Sequence, residues 1–312
     1  MGAEAAGTVD APEPGTRAQP AAAATIRRTA NAAVLRNDVG TVIEMPRPLV
    51  LTIALLGVIG AATPAPAQSF VRVERELKRA VRERVFPGAT LVIGRRDTIL
   101  YARGFGRLTW DKGAPLPSPS RTRYDLASLT KVLGTASVAA RLAARGELDL
   151  ERPVGAYVPC YRGAGRDSVT VRLLLAHASG LRAWLPLWRE TSSAHDAFTR
   201  LCAEAPRVPP GSATEYSDLN AMLLGAALEQ AGGAGLDSLV AREVTGPLQL
   251  HATSYEGSTE PPFNVAPTSR GPRERLWGRV NDENAERLGG VSGHAGLFGT
   301  ALDVAHMAQA WL

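Results

Sequence analysis

Apolar and polar positions divide the chain into an unpatterned beginning and a patterned remainder. Residues 1–44 are rich in Ala, Pro, Gly and Thr and hold no sustained period, so they are expected to be a disordered N-terminal extension. Met45-Pro-Arg-Pro48 then leads into an unbroken apolar run over 49–62, followed by Ala65-Pro-Ala67. A basic start, an apolar core of 14 residues and a small-x-small site predict a secretory signal peptide over 45–67, with Met45 as the true start. The core is short for a bilayer, so no membrane span beyond the signal peptide is expected, and the chain is assigned to the periplasm or the exterior. Residues 68–312 are read as one domain.

Within that domain the pattern changes period several times. Residues 69–84 carry an apolar stripe at Phe70, Val73, Leu77, Ala80 and Val81, which predicts a helix stopped by Pro87-Gly88. Residues 89–93 and 98–102 read as two short strands around Gly94-Arg-Arg-Asp97, a hairpin. Val132, Leu133, Ala136, Val138, Ala139, Ala140, Leu142 and Ala143 predict a buried helix ending at Gly146. Pro153 and Pro159 mark 149–160 as irregular. Further helices are predicted from 169 to 175, over 222–228 before Gly232-Gly233, over 236–244 and over 302–312, with 256–275 as loop. Only the hairpin strands are clear, and two strands make a marginal sheet.

Composition narrows the possible functions. With 45% hydrophobic residues in 312, the domain can bury a substantial core. The charge of +5 is spread out, with no basic block interleaved with aromatics, so no nucleic-acid partner is expected. Cys160 and Cys202 are too few for a disulfide framework, although they could pair in an oxidising compartment. No metal spacing of Cys and His occurs, and neither a metal nor an organic cofactor is implied.

Lysine use is the most informative bias. Of 35 basic residues only Lys78, Lys112 and Lys131 are lysines. A chain that otherwise writes Arg keeps Lys at 131, three residues after Ser128, where an amine can lose a proton and a guanidinium cannot. Asp125 is positioned to cap the following helix, which puts Ser128 in its first turn. Positions three apart share a helix face, so the Lys131 amine can reach the Ser128 hydroxyl, the arrangement of a serine nucleophile with a lysine base. Burial among polar groups should disfavour the ammonium form and make Lys131 a usable base. The plainer reading makes Ser128 a helix cap and Lys131 a surface lysine. His177, at a predicted helix end, is read as steadying the last carbonyls.

Three stretches in order resemble the serine β-lactamase and penicillin-binding-protein superfamily, its class C-like hydrolases and D,D-peptidases in particular. Ser128-Leu-Thr-Lys131 is similar to the nucleophile motif. Leu173-Leu-Leu-Ala-His-Ala-Ser-Gly-Leu181 is similar to a helix-ending signature of the group. Tyr216-Ser-Asp218 resembles the second motif, usually Tyr-x-Asn, and Gly246-Pro-Leu-Gln-Leu250 falls where a Pro-Leu-Gly-Met turn belongs. The resemblance implies an α/β (α+β) fold, an antiparallel sheet flanked by helices with an all-helical subdomain. It implies catalytic roles for Ser128, Lys131 and Tyr216 and a substrate-binding role for Asp218. The implied reaction passes through an acyl-serine on a carboxylic ester, a D-alanyl peptide or a β-lactam, a small-molecule or peptidoglycan-derived substrate, with the Ser128 N–H as half of an oxyanion hole. The alternative is a non-catalytic relative that binds cell-wall fragments or a partner.

Two departures qualify this. Asp218 accepts but does not donate, unlike the usual Asn, which argues mildly against a strong β-lactamase. His294-Ala-Gly296 matches a third motif, His-x-Gly, by letters, but its flanks read as a loop entering a helix. The sheet is therefore expected to be incomplete, its C-terminal strands and closing helix missing from a truncated product. A strand over 289–300 beside the hairpin would refute this.

Overall fold

The computed structural model describes residues 70–163, 165–257, 264–271 and 274–312. The extension and signal peptide expected over residues 1–67 lie outside them. The first elements are α1 (Val71–Arg82), β1 (Gly88–Arg95), β2 (Thr98–Gly106) and β3 (Thr122–Asp125). A π-helical segment, Lys131–Ala136, runs into α2 (Ser137–Ala144). Then come α3 (Val171–Leu175), α4 (Leu187–Glu190), α5 (Ala194–Cys202), α6 (Asp218–Gly232) and α7 (Leu236–Val240). The last are β4 (Asn264–Val265), β5 (Thr268–Ser269), β6 (Arg275–Leu276), α8 (Glu283–Arg287), β7 (Phe298–Thr300) and α9 (Ala301–Trp311).

Helix α6 is the centre of the helical region. Ser217 caps it by accepting from the Asn220 N–H, and Gly233 ends it in the left-handed region at φ 66°. Nine of its fifteen residues are buried, Leu219, Leu223 and Leu228 completely. Each such leucine contributes about 2 kcal/mol of transfer free energy. They pack with Val138 and Leu142 of α2, Leu174 of α3 and Leu239 of α7 in one continuous core. Helix α2 buries one face only: Val132, just before it, and Ala140 are exposed, contrary to the all-round burial the apolar run predicts. Helices α4 and α5 escaped the sequence reading.

The expected hairpin is longer at both ends. Strands β1 and β2 pair antiparallel from Gly88↔Gly106 to Arg95↔Thr98, with an irregularity at Ile93/Gly94. The sheet content was under-read. Strand β3 forms the middle of a second sheet, parallel to β4 and antiparallel to β7, and β5 and β6 make a third pair. Residues 289–297 form the expected loop, and the strand at 298–300 joins β3 rather than the hairpin.

That loop lies flush on α6. A Cβ on Gly293 would come within 2.0 Å of the Ala221 carbonyl oxygen, so only glycine permits the approach. The approach carries the next residue, His294, against Lys131.

Candidate active site

Ser128 sits in a turn between β3 and the π-helical segment. Asp125 stabilises this turn rather than the helix itself, its Oδ1 accepting the Ala127 N–H at 2.8 Å. Ala127 has φ 45°, a left-handed conformation that costs an L-residue about 1–2 kcal/mol. The result is an exposed Ser128, whose N–H donates to no acceptor among the described residues.

Lys131, one turn on, is only 9% exposed. Three oxygen atoms surround Nζ, as many as an ammonium has N–H donors. They are Ser128 Oγ at 2.9 Å, the His294 carbonyl at 3.0 Å and Asp218 Oδ1 at 2.7 Å. The last contact is an ion pair off the line of a regular hydrogen bond, and Oδ1 is buried with no aligned donor of its own. Burial among polar groups is as expected, and one of those groups is a carboxylate partner for the amine. Asp218, singled out for substrate, starts α6 facing Lys131.

Tyr216, to which the resemblance gives a catalytic role, meets Lys131 through its ring. Its ring centroid lies 5.0 Å from Nζ, a cation–π contact. The residue is 54% exposed, and its hydroxyl makes no hydrogen bond among the described residues. The ring also meets His177, with ring centroids 4.7 Å apart.

His177 follows the end of α3, its N–H on the Leu174 carbonyl, but its ring is turned to the second motif rather than to the last carbonyls. Its backbone is left-handed at φ 53°, its Nδ1 accepts the Ser217 N–H at 3.1 Å, and its carbonyl accepts the Glu215 N–H at 2.9 Å. It holds the second motif from behind. Burial first, and the neighbouring Lys131 charge second, push its imidazole below the ordinary value. Nothing in the local pattern signals this role; its signal is the place of the His in a stretch that precedes Tyr216-Ser-Asp218.

His294 also turns away from the part its letters suggest. The side chain is buried between Ser292 Oγ, 2.8 Å from Nδ1, and Asp282 Oδ1, 2.9 Å from Nε2. Burial works to raise the Asp282 carboxyl, but the His294 hydrogen bond and charge, the Ala285 N–H and Lys131 outweigh it and hold the group low. Only the backbone carbonyl of His294 faces the cleft. No group of three or more His, Cys, Asp and Glu able to hold a metal occurs among the described residues.

The model of the beta-lactamase family matches residues 73–312. The chain belongs to that family. Among its relatives, the N-acetylmuramyl-L-alanine amidase of Bacillus subtilis (strain 168) is 31% identical over 73% of this chain and 59% of its own length. A protein of Escherichia coli (strain K12) named "Putative D-alanyl-D-alanine carboxypeptidase" is 29% identical over 80% of this chain and 66% of its own. The chain thus spans about three fifths to two thirds of the curated relatives it matches. A solved class C beta-lactamase superposes with a TM-score of 0.66 at 20% identity, covering 80% of this chain and 66% of that one. The fold is that of the β-lactamases and penicillin-binding proteins, as the motif order implied.

Proposed function

We propose that this member of the beta-lactamase family is a serine hydrolase in which Ser128 takes the acyl group of a carboxylic ester, a D-alanyl peptide or a β-lactam. One observation carries the reading: an exposed hydroxyl lies 2.9 Å from a buried amine, which is backed by a carboxylate at 2.7 Å. For Lys131 to accept the Ser128 proton, one amine proton must rest elsewhere, and Asp218 is placed to hold it. Ser128 then loses its O–H bond to Nζ while Oγ bonds the substrate carbonyl carbon. The developing oxyanion meets the unpartnered Ser128 N–H. The leaving group departs with a proton from Lys131 or the free Tyr216 hydroxyl, and water releases the acyl group.

Relatives named for N-acetylmuramyl-L-alanine and D-alanyl-D-alanine bonds make peptidoglycan-derived peptides the first substrates to try. A periplasmic or secreted setting accompanies this reading, and the Cys160–Cys202 disulfide supports it, because such bonds persist in oxidising compartments. One observation favours a second, non-catalytic reading in which the cleft binds cell-wall fragments: oxygen atoms hold the amine on three sides.

The test is a panel of nitrocefin, p-nitrophenyl esters and D-alanyl dipeptide, with a fluorophosphonate label, on the wild type and Ser128→Ala. Turnover and a Ser128 adduct, both lost in the variant, are the expected result. Neither turnover nor adduct anywhere in the panel refutes the hydrolase, and retained muropeptide binding then gives the second reading.

A further inference from the structure

A closed circuit of hydrogen bonds runs around the nucleophile and involves residues that the reaction above does not use. From Ser128 it passes to Lys131 at 2.9 Å and on to the His294 carbonyl at 3.0 Å. The His294 ring meets Asp282 at 2.9 Å, and the neighbouring Asn281 N–H donates to Asp125 Oδ2 at 2.7 Å. Asp125 Oδ1 closes the circuit on the Ala127 N–H at 2.8 Å, one residue before Ser128. Every link is a covalent neighbour or a contact of 3.0 Å or less. The far side of the loop is fixed as well: Thr135 Oγ1 donates to the Gly293 carbonyl at 2.7 Å, and the Leu297 N–H donates to Thr130 Oγ1 at 3.2 Å.

This circuit does more than hold a loop to a core. The His294 ring has both nitrogens engaged, so it cannot rotate without breaking a buried polar contact, which costs about 1–3 kcal/mol. With the ring anchored and the backbone tied at Gly293 and Leu297 on either side, the His294 carbonyl is held where it meets Nζ. At the other end Asn281, in the segment before α8, helps hold the turn in which Ala127 is strained.

We infer that Asp282 and His294 are positioning residues of the hydrolase, the pair setting the Lys131 amine through the His294 carbonyl and the Ser128 hydroxyl through Asn281 and Asp125. The inference rests on the hydrolase reading for its catalytic consequence, whereas its geometric content is independent of it. A shift of about 1 Å in either group costs on the order of 100-fold in rate without weakening ground-state binding.

The experiment compares wild type, Asp282→Ala, Asp282→Asn, His294→Ala and Ser292→Ala in two ways. One is kcat and KM on the best ester of the panel. The other is the rate at which acetic anhydride modifies Lys131, read by peptide mass spectrometry. Asp282→Ala and His294→Ala are expected to lower kcat at least ten-fold with KM within two-fold, and to change Lys131 labelling at least three-fold. Asp282→Asn keeps an acceptor for Nε2 and should restore most of both; Ser292→Ala should fall between. Unchanged kcat and labelling in folded alanine variants overturn the inference. So does an Asn variant as impaired as Ala, because Asn keeps both the acceptor for Nε2 and the cap on the Ala285 N–H, so that position is not what Asp282 supplies. Should the alanine variants not fold, Asp282→Asn and Ser292→Ala decide by the same two readouts. If the wild type shows no Ser128-dependent turnover, the hydrolase reading alone fails, and Lys131 labelling still decides the positioning claim.

Discussion

Helices α1 and α6 face opposite situations with opposite patterns. The α1 sequence is sharply two-sided, its apolar stripe as clear as any in the chain, yet none of its twelve residues is buried. The α6 sequence is nearly uniform in apolarity and buries nine of fifteen. Polar ties hold α1 to the hairpin: Glu74 accepts from the Tyr101 hydroxyl at 2.8 Å and from Arg103 at 3.0 Å. Periodicity therefore states which face wants a partner, and burial records whether one is there. The candidate site grows from the helical side, where Ser128, Lys131 and Asp218 are fixed by residues that already have theirs.

The sharpest break in this comparison is at the site itself. Ser128→Ala should remove all measurable turnover and labelling, and Lys131→Arg should cost at least 100-fold in kcat, since a guanidinium offers no accepting form. Retained turnover in either would detach the chemistry from the helical side altogether.

Next in size is the disulfide, which ties the segment after Val154–Ala156 to the end of α5 across a separation of 42 residues. By chain entropy its removal in Cys160→Ser/Cys202→Ser should destabilise the protein by about 4 kcal/mol. Urea unfolding of oxidised and reduced protein measures this, and equal midpoints would show that the bond constrains nothing.

A direct contrast follows. Leu223→Ala in α6 should cost about 3 kcal/mol, whereas Leu77→Ala in α1 should cost about 1 kcal/mol or less. Comparable losses would mean that α1 is far better packed than its exposure indicates.

The smallest expected effect is a pH dependence through His177. Its folded imidazole is held below the ordinary value of 6.5, so as pH falls through that value the unfolded chain takes up a proton that the folded ring refuses. Stability from this source is present above 6.5 and declines below it. The carboxyls held low, Glu243 and Glu286 among them, add their losses only beneath their ordinary 4.5. A lower urea midpoint at pH 5.5 than at 7.5, narrowed by His177→Gln, is the expected result. A midpoint independent of pH in this window rules the effect out.

What the sequence disclosed depended on distance along the chain. Ser128 and Lys131 are three apart, so helical geometry alone joins them, and the scarcity of lysine singled out the pair. Tyr216-Ser-Asp218 was legible by its order after Pro-Gly and before an apolar helix. The Lys131–Asp218 ion pair was not, because nothing local relates residues so far apart. Strands β3 and β7, of four and three residues, are too short to show alternation. The π-helical winding at Lys131 and the inward carbonyl of His294 are backbone properties that residue types do not report. His177 was misread because a histidine after a helix has an ordinary capping role, and its actual partners lie forty residues downstream.

Replacing the Ala127 methyl group with hydrogen would relieve about 1–2 kcal/mol of folded-state strain and release about 0.4–1 kcal/mol of freedom in the unfolded chain. The relief is the larger, so the exchange would leave overall stability level or slightly raised. The backbone ahead of Ser128, however, would gain a second accessible basin. The methyl at 127 thus narrows the aim of the nucleophile at a small expense in stability.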